Sequence, residues 1–202
     1  SMVSRTGAVC GVNGGFFLAG TRPVGLVKCD GLVMSLPLWG RTALAVPAQG
    51  PPVLDNPRGV WRITLPDGMT MDLPDGLDAS ILTPLPPILV YAGQNFQRVG
   101  ANAKGRNVLV QEGVIIGITN EAAQLLPGQF AIVIREPALT PQLANMLAVG
   151  TPLQVTPIVE PAWDDYPGAL GAGPRLLRNG VVEITGEIER FKPDILQGRA
   201  AR

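Results

Sequence analysis

Side chains able to move protons are scarce in this sequence, whose 202 residues include 16 carboxylates and no histidine. Without an imidazole there is no Ser-His-Asp relay, and the commonest metal ligand is missing as well. Any catalysis therefore rests on carboxylates, arginine, lysine, tyrosine and backbone groups. The carboxylates to weigh are Asp30, the pair Asp164 and Asp165, and Glu183, Glu187 and Glu189. Asp30 also suits the first position of a hairpin turn, and Glu183, Glu187 and Glu189 also suit one wet strand face. Residue type alone does not select an acid/base pair among them. Cys10 and Cys29 are too few for a zinc site and lack CxxC spacing, which leaves a disulfide or two buried thiols.

Two glycine-rich stretches could hold a ligand. In Asn13-Gly14-Gly15-Phe16-Phe17, paired glycines let the backbone approach a bound group or take positive φ, and the phenylalanines anchor the turn. The same letters also describe an ordinary strand-to-turn junction with its rings in the core. The second stretch runs from Gly171 through Gly173, Pro174, Arg175 and Arg178 to an Asn179-Gly180 turn. Residues three apart on an extended segment face opposite ways, so one of Arg175 and Arg178 serves a site while the other is solvated, or both are surface charges.

Short extended elements must position these residues. The chain holds 25 Gly and 20 Pro, enough interruption to exclude a long helical bundle. Strands are expected at 8–12, 25–29 and 32–34, the last two joined by Asp30-Gly31, and at 42–46. A hairpin over Pro66-Asp67-Gly68 joins runs at 60–65 and 69–73, with one face buried and one wet. Further strands are expected at 88–91, 107–111, 114–119, 130–135 and 152–160. Thr140 as N-cap, Pro141 and Gly150 predict one helix over 141–149, with Leu143, Met146 and Leu147 on one face. The fold class is α+β: β-rich mixed sheets with few helices.

Composition narrows the function classes. Hydrophobic residues make up 46% of the chain, which supports a sizeable core. Zero net charge with dispersed Lys and Arg excludes a polyelectrolyte nucleic-acid binder. No apolar run approaches the roughly 20 residues of a membrane-spanning helix.

The stretch Ala8 to Phe17, followed by Pro23-Val24-Gly25-Leu26-Val27 and Asp30-Gly31, resembles the opening of the phosphodiester glycosidase domain family. Gly40 to Val46, Leu143 to Val155 leading through Trp163, Gly171 to Val182, Glu187 to Phe191 and Gly198 to Arg202 are similar to later family segments in the same order. The resemblance implies a single domain over 1–202. Residues 1–48 and 166–202 would form its site-bearing core, and 49–165 a β-rich inserted portion. It implies an exported bacterial hydrolase, extracellular or periplasmic, that cleaves a sugar-1-phosphodiester at the anomeric carbon without cofactor or metal. Glu187 or Asp30 would be the catalytic carboxylate. Asn13, Gly14, Gly15, Phe16, Gly173, Arg175, Arg199 and Arg202 would hold the substrate. The expected partners are a sugar phosphodiester or cell-envelope glycan, no nucleic acid, and a complementing C-terminal fragment or second chain carrying the family's Asp-Gly-Gly-Gly-Ser type loop. A non-catalytic carbohydrate-binding or envelope module of the same fold is the alternative.

Overall fold

A computed structural model describes residues 15–18, 22–76, 84–94 and 98–197. Glycine turns set the strand ends. β1 (Phe17–Leu18) pairs with β2 (Arg22–Pro23), and β3 (Val27–Cys29) returns as β4 (Leu32–Ser35). Asp30 and Gly31 between them have φ 50° and 79°, the left-handed pair that a type I′ turn requires. β5 (Ala43–Val46) and β6 (Val53–Asp55) follow. The strand that completes this sheet comes from far along the chain: β16 (Gly168–Gly171) inserts between β3 and β5, in the order β4-β3-β16-β5-β6. Its register, Ala169 opposite Lys28 and Leu170 opposite Leu44, brings the 171–175 bend beside the head of β5.

Between β6 and β16 the chain builds two further antiparallel sheets. β7 (Arg58–Thr64) and β8 (Thr70–Leu73) form the expected hairpin, and β15 (Gln154–Glu160) pairs along the other edge of β7. The second sheet contains β9 (Ile88–Ala92), β11 (Arg106–Gln111), β12 (Val114–Thr119) and β14 (Gln129–Ile134), in the order β12-β11-β14-β9. Short β10 (Arg98–Val99) pairs with β13 (Ala123–Gln124). Val90, Val108, Val110, Ile132 and Ile134 share one buried cluster with Trp61, Ile63 and Leu73. Ala131 and Val133 join Val99 and Leu125 in another. β14 is therefore covered on both faces and reads as an unbroken apolar run, whereas β7 alternates. Leu26, Ala43, Ala45, Ala169 and Trp163 make a separate small core in the first sheet. The fold is a β-rich α+β fold.

Three expectations change. The helix, α1 (Pro141–Met146), has Thr140 accepting a hydrogen bond from the Leu143 backbone N–H at 3.2 Å but stops short of 149. The chain must rejoin β12 there: Gly150 N–H donates to Ile115 O, and Ile115 N–H donates to Thr151 O. Glu183, Glu187 and Glu189 do not share a wet strand face. β17 (Leu177–Arg178) and β18 (Val181–Val182) form a short hairpin, after which the chain turns through 185–190 before α2 (Pro193–Leu196), and Glu189 is buried. Cys29 carries a free thiol and is exposed rather than buried, since it ends β3 at a hairpin tip. Cys10 and the expected strand at 8–12 lie outside the described residues. Among the described residues, no helix is long and apolar enough to cross a membrane.

The core assignment predicts that Trp61→Ala, at a site 1% exposed, lowers unfolding free energy by roughly 3–5 kcal/mol. Leu54→Ala, at 55% exposure, should stay within about 0.5 kcal/mol of the parent in the same urea titrations.

Candidate functional site around Glu189

The sheet order decides which segments meet. Because β16 lies between β3 and β5, its exit delivers Gly171, Gly173 and Arg175 next to Thr42, and the 185–191 turn folds onto the same place. Gly171 N–H donates to Leu26 O at 2.6 Å, and Ala172 N–H donates to Thr42 O at 2.8 Å. At the centre is the Glu189 carboxylate, 1% exposed. Its Oε1 accepts from Thr42 Oγ1 at 2.6 Å, from the Arg175 N–H at 3.3 Å and from Thr185 Oγ1. Its Oε2 accepts from the Thr42 N–H at 2.9 Å. Asn56 Nδ2 in turn donates to Thr42 Oγ1 at 3.1 Å and to Gly40 O at 2.9 Å, which fixes the threonine.

Burial by itself pushes the Glu189 carboxyl up, toward the neutral form. The hydroxyls of Thr185 and Thr42 and the N–H groups of Thr42 and Arg175 together outweigh it and hold the group below its ordinary value of 4.5. Glu189 is thus ionised at neutral pH. With both oxygens engaged by donors it organises its surroundings and is poorly placed to exchange a proton with a ligand.

Glycine is required where the backbone meets this network. A Cβ on Gly173, whose φ is 89°, would lie 2.3 Å from Glu189 Oε2, and a Cβ on Gly15 would lie 2.4 Å from Gly171 O. The two glycine-rich stretches therefore touch each other. Phe16 packs against Phe191 with ring centroids 5.1 Å apart. The Arg41 guanidinium lies 4.2 Å from the Phe191 centroid, while its Nε and Nη2 donate to the carbonyls of Glu189 and Arg190 at 3.0 and 3.1 Å. Beside Phe16 opens a cavity of about 250 Å³, lined by Gly15, Phe16, Phe17, Val24, Leu26 and Gly171 among others. Its walls are apolar side chains and backbone.

Of the residues nominated from sequence, Gly15, Phe16, Gly173 and Arg175 come together here. Arg175 does so through its backbone: its side chain is 7% exposed, its Nη2 donates to Leu54 O at 3.2 Å, and its Nε is buried without a partner. The expected phosphate fork is committed to the sheet instead. Arg178 is exposed and pairs with Glu183 at 2.6 Å, so of the two arginines Arg178 is the solvated one. Asp30 is exposed at the β3–β4 turn and Glu187 is exposed in the 185–190 turn, and neither lines the cavity. Asn13, Gly14, Arg199 and Arg202 lie outside the described residues. Arg41, Thr42 and Phe191 fall within segments that resemble the family, but neither they nor Thr185 stand out in the sequence as site residues. Glu189 differs from Glu183 and Glu187 in the donors that the fold gives it, Thr42, Thr185 and the Arg175 N–H. Among the described residues, no group of His, Cys, Asp and Glu could hold a metal ion.

No family model matches the chain, and no curated protein matches it. Solved structures do share its fold. One, a hypothetical protein from Synechocystis, superposes with a TM-score of 0.73 at 22% identity over 92% of this chain and 35% of that one. Another, named "Putative exported protein" from Burkholderia pseudomallei, superposes with a TM-score of 0.60 at 20% identity over 86% of this chain and 43% of that one. The chain thus spans well under half the length of either, and at these identities the likeness concerns the fold alone.

Two substitutions test the network. Gly173→Ala and Gly180→Ala both place a side chain at positive φ, but nothing lies within 4 Å of a Cβ on Gly180. Gly180→Ala should cost about 1 kcal/mol, the ordinary penalty at such a φ, and Gly173→Ala clearly more. Because the Glu189 pKa is depressed in the folded state, its contribution is complete above the unfolded value and lost as pH falls through the folded one. The parent protein should therefore lose stability relative to Glu189→Gln as pH drops below about 4.5, measured by chemical denaturation across that range.

Proposed function

We propose that the chain forms the sugar-holding part of a hydrolase acting on sugar-1-phosphodiesters. In that reaction water attacks the anomeric carbon, the C1–O bond to phosphate breaks, and free sugar and a phosphomonoester leave. A phosphate is a good leaving group, so the site needs less general-acid help than an ordinary glycosidase with two working carboxylates. What it needs is a place for the sugar and positive groups for the diester. One observation carries the reading: Gly15-Phe16 and Gly171–Arg175, the two stretches nominated for substrate, meet at one place beside a cavity, and the second of them contacts a buried carboxylate. Asn13, Gly14, Arg199 and Arg202 would supply the anion-binding part through a backbone nest and guanidinium forks. The proposal includes action outside the cytoplasm, supported by the description of the Burkholderia neighbour as exported.

A second reading, carbohydrate binding without turnover, is favoured by the exposure of Asp30 and Glu187 and by the saturated oxygens of Glu189. The two separate in one assay. The protein is incubated with UDP-N-acetylglucosamine and with a methyl sugar-1-phosphodiester, and free reducing sugar is measured. The hydrolase reading expects release, reduced about a hundredfold or more by Arg202→Ala, the loss typical when a group that stabilises transition-state charge is removed. Saturable binding of either compound with no sugar released at any pH establishes the second reading instead.

A further inference from the structure

Five described non-glycine residues have positive φ: Asp30, Trp39, Glu112, Asn179 and Arg190. Asp30, Glu112 and Asn179 each precede a positive-φ glycine in a tight hairpin turn, where small or polar residues are the usual choice. Trp39 also precedes a positive-φ glycine, Gly40 at 66°, but is neither small nor polar, and Arg190 precedes none. Trp39, at φ 54°, occupies the first central position of a turn closed by Arg41 N–H donating to Leu38 O, a place that favours Asn, Asp or Gly. Arg190, at φ 56°, is followed by Phe191 rather than by a glycine. For bulky residues this conformation costs about 1–3 kcal/mol and persists only where the surroundings impose it.

Both side chains face the same place. The Arg190 guanidinium lies 5.5 Å from the Trp39 ring, and both residues line a groove of about 530 Å³, well apart in lining from the Phe16 cavity. The other charged residues on the groove are Arg58, Arg62, Asp72 and Glu160. Asp72 holds Arg62 in a two-pronged ion pair at 2.7 and 2.8 Å, and Glu160 adds to the negative field at Arg62. Among the described residues, the guanidiniums of Arg58 and Arg190 have no carboxylate partner. The groove therefore offers two guanidinium forks that make no ion pair, Arg190 beside the Trp39 indole and Arg58 across the strands from Glu160, in a volume typical of small-molecule clefts. Guanidinium forks match carboxylate or phosphate oxygens, and a flat indole matches the C–H face of a pyranose ring.

We propose that this groove binds an acidic oligosaccharide, with Arg58 and Arg190 taking its anionic group and Trp39 its sugar ring. The proposal goes beyond the hydrolysis reading and does not depend on it, since its test reads binding at a different surface.

Trp61 and Trp163 are 1% and 5% exposed, so Trp39 is the tryptophan whose emission reports on a ligand in the groove. Trigalacturonate, maltotriose and hexaglutamate are titrated into the full chain, with emission and calorimetry read in parallel. Trigalacturonate should bind saturably and shift the emission. Arg58→Ala and Arg190→Ala, at exposed positions, should each weaken it at least tenfold while leaving the urea midpoint in place. Trp39→Phe should abolish the emission change and weaken the calorimetric affinity severalfold. Equal binding of maltotriose would remove the anion from the proposal, and equal binding of hexaglutamate would remove the sugar. Absence of trigalacturonate binding, or binding unchanged in the Arg58→Ala/Arg190→Ala double variant, would overturn it.

Discussion

The site depends on one buried, ionised carboxylate. An isolated charge at the position of Glu189 would be strongly unfavourable, and it persists because four donors from three separate segments converge on it. Those segments are the head of β5, the bend after β16 and the turn after β18. Each charge-assisted hydrogen bond is stronger than a neutral one, and without the carboxylate the Thr42 N–H would lose its acceptor, while the Arg175 N–H would keep Thr185 Oγ1 at 2.9 Å and Thr185 Oγ1 would keep Arg175 O at 3.3 Å. Glu189 thus fixes the relative positions of Thr42, Arg175 and Thr185, and it forbids a side chain at Gly173.

Consequences spread outward along the chain on either side of the carboxylate. With Glu189 pinned, Arg190 and Phe191 have little freedom, and Arg41 reads the carbonyls of Glu189 and Arg190 while lying over the Phe191 ring. Arg41 also lies 5.2 Å from the Trp39 ring. The result is a continuous ladder, Phe16, Phe191, Arg41, Trp39 and Arg190, that runs from the apolar cavity to the polar groove. Positioning is the role this geometry assigns to Glu189. Proton transfer would need an oxygen free to meet a ligand, and both of its oxygens are taken.

The groove and the cavity differ in kind. The cavity is lined by backbone and apolar side chains and selects by shape, whereas the groove carries three arginines against two carboxylates and selects by charge. A chain with zero net charge can still present such a surface, since net charge says nothing about where the charges sit.

Local signals in the sequence were sufficient for most of the strands. Asp30-Gly31 and Asn179-Gly180 demand left-handed backbone and deliver hairpins, alternation places Trp61 and Ile63 inward and Arg62 outward, and the unbroken run in β14 reflects burial on both faces. Thr140 and Pro141 likewise mark the start of α1, while its end is set by a tertiary tie to β12 that no local pattern encodes. The convergence of the two glycine-rich stretches was visible only as a pair of unusual segments. Their contact is created by β16 crossing more than a hundred residues of sequence to enter between β3 and β5. The same limit explains why Asp30 and Glu187, rather than Glu189, are the carboxylates that the sequence nominates. A carboxylate's ionisation and accessibility are set by the donors and the water around it, which are properties of the folded neighbourhood. Sequence determined where the backbone turns and which residues face inward, because those depend on near neighbours. Tertiary structure alone decided which of the candidate carboxylates is buried, which arginines make no ion pair and which surface they share.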